Sequence, residues 1–407
     1  MRRIALRIFL FVLVFAVPFF IWLAPSAVAW VISAIVFLAP VWLPIILTLI
    51  AIPLWIRFVR SYYLSSVPFS VIELKPGPET PASARAMELA LYALYHRNEV
   101  SRSAAFFQGV TRMSWSFEIY AHAGGLRFFI HLPTAHRAAV EARIRAEYRD
   151  VDIDLVRDYS REIPFDPLTM TTLVREYVLQ KADPYPIKTY VSYEGEKGKT
   201  DAFNELLESL VGLGDGEHIL LSFIVRPHQR ERASFFGELE DSLHHVAQNE
   251  IGKLVGSRGD MRGLSPAVQK TVKAIEDSLK KPTFDCGVRA LYVANNDQFK
   301  EERGPFLDSL LDPFNDDNLN GFRAYDPKEN APWPLSDVFA VAPIFSMSYF
   351  VNVFRRRSFF APPYYGKPFI LNTEELATVF HLPHAVRGSV LAGMHGTRLD
   401  PPENLPV

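Results

Sequence analysis

The sequence predicts an α+β protein: an amino-terminal transmembrane helical hairpin followed by two split β-α-β domains. Three observations carry this reading. Residues 8–56 contain no charged side chain. Alternating strands and amphipathic helices then follow in the order β-α-β-β-α-β between about 65 and 160. A second alternation of the same kind fills 161–330. The domains expected are therefore 1–60, 65–160, 161–330 with a helical insertion, and 331–407, which holds an apolar segment, a basic cluster, a short helix and a Pro-rich tail.

The charge distribution separates the first domain from the rest. The 407 residues carry a formal net charge of −2 and 49% hydrophobic side chains. Arg2, Arg3, Arg7, Arg57 and Arg60 are the charged residues of 1–60, leaving 38 basic against 45 acidic side chains beyond it. A bilayer crossing needs roughly 20 apolar residues, so the uncharged run is long enough for two helices, near 8–24 and 29–55, turning at Pro25 and Ser26. Pro40, Pro44 and Pro53 mark expected kinks or ends of the second helix. Arginines flank both ends, and cationic flanks favour the cytoplasm. This places the protein in the inner membrane as a multi-pass chain whose bulk is cytoplasmic. Ala27, Val28 and Ala29 resemble a signal-peptide cleavage site, but the apolar run continues past them. The lone cysteine, Cys286, excludes a disulfide framework and a Cys-rich zinc site.

In the first α+β domain, Val71–Lys75 alternates as a half-buried strand and Pro81–Arg97 reads as a helix with Met87, Leu91, Leu94 and Tyr95 on one face. Trp115–His122 and Leu126–Leu132 are strands joined at Gly124-Gly125, a hairpin signal. Ala135–Tyr148 is a helix and Val151–Leu155 a strand. This is the order of a ferredoxin-like domain. Beyond a linker with Pro164, Pro167, Pro184 and Pro186, strands are expected at Ile187–Tyr193, His218–Val225, Val288–Ala294 and Gly321–Tyr325. Helices are expected at Asp201–Leu213, at two stretches between Arg230 and Lys281, and at Gln298–Leu311. A second ferredoxin-like domain is the simplest account.

Val338–Phe354 is uncharged and precedes Arg355, Arg356 and Arg357. A crossing here would set three arginines outside, against the charge rule. A segment in the membrane interface and burial within or between subunits are the other two readings. A capped helix starts at Thr373, with Glu374 and Glu375 in its first turn.

Candidate chemistry is sparse. Gly198-Lys199-Thr200 lacks the glycine a phosphate-binding loop needs five positions before its last one, where Tyr193 stands. Asp316–Gly321 begins like a calcium loop, but Pro327 occupies the position of the bidentate carboxylate. His381 with His384, and His244 with His245, lack a third ligand. Neither a metal nor a cofactor is expected, and the expected role is non-enzymatic. Two basic clusters remain: Arg226, Arg230 and Arg232, and Arg355–Arg357 between Phe354, Phe359 and Phe360. Cations interleaved with aromatics could grip single-stranded nucleic acid, lipid headgroups or an acidic partner. The partner- or lipid-binding residues expected are Arg355, Arg356, Arg357, Phe359, Phe360, Glu374, Glu375 and Phe380.

The segments Phe354–Tyr364, Phe369–Pro383 and Pro401–Pro406, with Leu213–Leu220 and Phe284–Arg289, resemble the amino-terminal portion of membrane-anchored type IV secretion/conjugation-like proteins of reduced-genome bacteria. In such relatives the Pro-rich segment leads into a motor ATPase similar to the HerA and conjugative group, which is expected here as a separate chain. The resemblance implies a platform or adaptor for a motor ATPase on a separate chain, with nucleic-acid or protein cargo, membrane lipids and further copies of itself as partners. A tail from Phe369 to Val407 is the expected motor-binding element. An envelope-organising or lipid-contacting scaffold is the alternative function.

Overall fold

The computed structural model describes residues 25–383, except 78–79, 81–82, 96–99, 102, 195–200, 230, 233–238, 241, 257–263, 329–342 and 362. The first predicted helix of the hairpin, 8–24, lies outside the described residues, as do Gly198–Thr200, Arg230, His384 and the Pro-rich end.

From Pro25 the chain forms one helix, α1 (Pro25–Ser66), that runs through Pro40, Pro44 and Pro53 and ends eleven residues beyond the predicted limit. Forty-two residues at 1.5 Å each give about 63 Å. Within its Ser33–Ser66 portion the most apolar 18-residue stretch has a mean hydropathy of 2.7 and no share buried in the protein. This is one helix near the amino terminus that is long and apolar enough to cross a membrane. At its last turn, the Ser65 and Ser66 hydroxyls donate to the Tyr62 and Tyr63 carbonyls, taking up acceptors that a helix end leaves open.

Only Val67 and Pro68 separate α1 from β1 (Phe69–Pro76). There follow α2 (Ala84–Leu94), β2 (Trp115–His122), β3 (Gly125–Pro133), α3 (Arg137–Glu147) and β4 (Val151–Val156). Ser83 caps α2 by accepting from Ala86 N–H. These strands pair antiparallel in the spatial order β4-β1-β3-β2. The second half has β5 (Met170–Leu179), α4 (Ala202–Ser209), β6 (Glu217–Pro227), the helices α5 (Ser242–Val255) and α6 (Pro266–Ser278), β7 (Thr283–Asn295), α7 (Arg303–Ser309) and β8 (Phe322–Tyr325). It repeats the pattern as β8-β5-β7-β6.

The halves join directly. β2 pairs with β6 from Trp115↔Val225 to His122↔His218, making one continuous antiparallel sheet across the boundary expected at 160. One core also runs under both halves on the helix side. Phe117, Ile119 and Ala121 of β2 belong to the same buried cluster as Ile219, Leu221 and Phe223 of β6. The alternation of these strands sends Ser116, Glu118 and Tyr120 to the opposite face.

One strand was expected in the wrong place. Ile187–Tyr193 is not a strand; the strand is β5, in the stretch Met170–Leu179 that four prolines bracket. The amides of Ile187 and Tyr190 instead donate to the side chains of Glu375 and Thr378.

The carboxy-terminal stretch closes both faces. Helix α8 (Pro343–Arg355) buries Phe350, Val351 and Phe354 against Val174, Leu220, Leu291 and Val293 on the side away from the other helices. Of the predicted apolar run, 338–342 is outside the described residues; Ser346, Phe350, Val351, Val353 and Phe354 are buried in the fold, while Phe345 and Asn352 are exposed. β9 (Phe369–Asn372) pairs with β7 from Phe369↔Cys286 to Asn372↔Thr283. α9 (Thr373–Val379) follows, with a capping box between Asn372 and Glu375. Beyond it Phe380 reaches rings from both halves: Phe117 at 5.0 Å, Phe223 at 6.2 Å and Phe203 at 6.3 Å between centroids.

Candidate functional site: the groove beneath the long apolar helix

A groove of about 1120 Å3 opens where α1 meets the sheet. Ser61, Leu64 and Ser65 of α1 form one wall, and the β1–β4 edge with the turn Arg157–Glu162 forms another. The chain after α8 forms the third. Its floor is the sheet face opposite most of the helices.

The register lays out the same sheet face beyond the groove, whose own lining takes in Val71 and His131. Pairing aligns Glu73, Phe129, Glu118, Ser222, Arg289, Glu176 and Tyr325 in a single row across seven strands. Glu118, Arg289 and Glu176 are fully buried. Buried charges persist only when paired and hydrogen-bonded, and the segment Arg357–Tyr365 supplies many of the partners. Arg357 reaches Glu118 through two bonds, Nε to Oε1 at 2.9 Å and Nη2 to Oε2 at 3.0 Å. It also grips Asp158 at 2.6 and 2.9 Å. Arg289 donates to Glu176 at 2.9 Å and to the Ser358 carbonyl at 3.2 Å, while the Tyr325 and Tyr364 hydroxyls donate to the other Glu176 oxygen. The segment thus ties Glu118 of one half to Arg289 and Glu176 of the other.

Local backbone geometry aims Arg357. At the end of α8, Arg357 N–H donates to the Phe354 carbonyl and Ser358 N–H to the Val353 carbonyl. This is a Schellman ending, whose left-handed position glycine usually fills. Arg357 takes it with φ of 49°, a conformation that is costly for a side-chain-bearing residue. Phe359, next along, lies in a slot where a Cβ on either Gly287 or Gly366 would strike its ring.

The electrostatics follow from burial and this one cation. Burial would raise the Glu118 and Asp158 carboxyls, but the Arg357 guanidinium outweighs it and holds both below their ordinary range. Burial, then repulsion from Arg357, pushes the His131 imidazole down to about 4. All three shifts have the same sign in the stability balance. The unfolded imidazole takes a proton near 6.5 and the folded one does not, so falling pH favours unfolding from about 6.5 downward. The two carboxylates add to this below about 4.5. The melting temperature should therefore fall steadily from pH 6.5 to 4. His131→Asn should flatten the upper part of that curve, and identical pH profiles for the two proteins would refute the assignment.

The rim is more open. Arg157, Arg161 and Arg356 are exposed, and half-buried Arg355 donates to the Ser160 and Ile163 carbonyls.

Of the residues expected to bind a partner or lipid, Arg355, Arg356, Arg357, Phe359 and Phe360 do come together at this groove. Most are used internally. Arg357 and Phe359 are buried, and Phe360 lies under the Arg226 guanidinium at 4.3 Å. Glu374, Glu375 and Phe380 are elsewhere. Glu374 pairs with Lys281, buried Glu375 accepts from the Asn372 and Ile187 amides, and Phe380 fills the core. Arg357 is drawn inside because the sheet face carries buried carboxylates that need a cation from the same chain. Arg226 of the second basic cluster is likewise paired, with Asp285 at 2.9 Å.

The remaining candidates have structural roles. Asn320 donates to the Ala182 and Tyr185 carbonyls, and Asp316 accepts from the Asn318 and Leu319 amides, so this loop is held by its own turn bonds and by the segment after β5. His381 sits between the Ala377 carbonyl and Asp201. Cys286 is buried in β7. Among the described residues, no three His, Cys, Asp or Glu side chains gather as a metal site would require.

Comparison with known families matches residues 70–387 to one described as "Domain of unknown function (DUF8128)". The chain belongs to this family. The matched region begins just after α1 and spans both halves of the sheet together with α8 and α9. No curated protein matches the chain.

Proposed function

We propose that the protein is a membrane-anchored platform that seats a translocation motor, of the type IV secretion-like or conjugation-like kind, at the cytoplasmic face of the inner membrane. On this reading its two halves are ferredoxin-like units, each with strands in the order fourth, first, third, second, and its role is to bind rather than to catalyse. The observation that supports it is the join between anchor and body. Two residues separate α1 from β1, and α1 also holds the body laterally. The Trp55 indole donates to the Phe106 carbonyl at 3.0 Å, and Gly109 packs so closely on Val59 that a Cβ would strike its backbone carbonyl. A flexible tether has no such contacts. A body held this way keeps a fixed height and orientation at the bilayer, which suits an adaptor that must present a surface to a ring-shaped motor.

On this proposal the motor-binding element is shorter than the tail from Phe369 to Val407. Phe369–Leu382 is built into the sheet and core, which leaves 384–407 as the docking tail. The test is co-purification of the neighbouring motor ATPase with the full-length chain and with a version ending at Pro383. Loss of the motor from the shortened chain is the expected outcome, and equal recovery would count against the proposal.

A further inference from the structure

We infer that the body makes a second membrane contact of its own, through the single wide turn Ala104–Gln108, which lies in the boundary between headgroups and acyl chains beside Trp55. This rests on the reading of α1 as a membrane helix. Four observations carry it. Trp55 is the last aromatic residue before Arg57, the first charge after the apolar run, and tryptophan at such a place marks the membrane–water interface. The Trp55 bond to the Phe106 carbonyl sets the turn at the same depth. Phe106 and Phe107 project outward at 38% and 68% exposure, and Phe107 is more exposed than any other described phenylalanine of the body. Their rings meet edge to face at 5.0 Å, giving one apolar wedge.

The neighbouring chemistry agrees. Ser103–Thr111 contains no charged residue, so nothing in the turn needs bulk water. Gly109, with φ of 69°, allows the chain to lie against Val59, one helical turn beyond Trp55. Phe58 and Tyr62 of α1, also exposed, extend the aromatic girdle past the same level. An apolar wedge fixed laterally to a spanning helix fits the shallow insertion by which interfacial segments bind membranes. Two points of contact restrain the tilt of helix and body together relative to the bilayer.

The test uses the full chain in lipid nanodiscs, with nitroxide labels at Phe107→Cys, Ile45→Cys and Leu168→Cys in separate preparations. Cys286, at 1% exposure, is shielded from the reagent. Collision with oxygen and with a water-soluble nickel chelate reports depth. Leu168, 73% exposed on the body, is the aqueous reference. The Phe107 label is expected to meet the nickel chelate about threefold less often than the Leu168 label, with the Ile45 label more protected still. A Phe107 label as accessible as Leu168, beside a protected Ile45 label, overturns the second contact and leaves the spanning helix intact. An Ile45 label as accessible as Leu168 overturns the spanning helix and the inference with it. Replacing Gly109 with Val should move the Phe107 label toward the aqueous value by separating the turn from Val59.

Discussion

Arg357→Met should destabilise the folded body by about 3–5 kcal/mol, the usual cost of removing one partner of a buried ion pair. The loss goes beyond two hydrogen bonds. Glu118 is fully buried, and without Arg357 its charge keeps only the bonds from Ser116 and the Tyr159 hydroxyl. Asp158 loses the same cation. Arg357→Lys should recover little, because an ammonium cannot make paired bonds to two carboxylates from one position. Glu118→Gln combined with Arg357→Met should recover a large part, since it removes the uncompensated charge. Urea unfolding of the full chain in detergent would measure all three. A single variant within about 1 kcal/mol of the parent would mean that the row of charges is not what holds the C-terminal segment to the sheet.

Ile45→Arg together with Leu49→Arg should abolish stable membrane insertion of α1. Each arginine near the middle of a spanning helix costs roughly 2.5–3.5 kcal/mol on insertion scales. Both positions face outward, with Ile45 at 56% and Leu49 at 66% exposure, so the body offers them no partner. Alkaline extraction of membranes from cells expressing the full chain gives the readout. The parent should stay with the pellet and the variant should move to the supernatant. A variant retained as firmly as the parent would show that the tether is not α1.

Much of the fold was legible along the chain, and the reasons are local. The strands 115–122 and 125–133 declare themselves by alternation and a Gly-Gly turn, and Thr373 declares a helix start through its acidic first turn. β5 reads as linker because prolines bracket it and because its apolar residues come in runs, Leu173-Val174 and Tyr177-Val178-Leu179, instead of the plain alternation of β2; its burial alternates only once it is paired. The continuity of the sheet could not be read at all. Whether β2 pairs with β6 depends on edge compatibility between segments about a hundred residues apart, and no local pattern encodes that. The same holds for the site. The arginines at 355–357 were visible, and Glu118 was visible as a lone acid in an apolar strand. Their pairing across 239 residues was not, so a cluster that the fold consumes internally read as a surface. Asp158 and Glu176 carried no signal in sequence, since an isolated acid near a strand is ordinarily solvated.

The late position of α8, β9 and α9 in the chain has a consequence for synthesis. Every strand they cover is made earlier, and β7 has no neighbour for its first residues on one side until Phe369–Asn372 is available. The body therefore emerges with Glu118, Arg289 and a broad apolar face unsealed, and it cannot finish until its closing segment leaves the ribosome. Such an intermediate is prone to wrong association. Truncations or stalls that remove α8, β9 or α9 should yield insoluble protein rather than a shorter functional one.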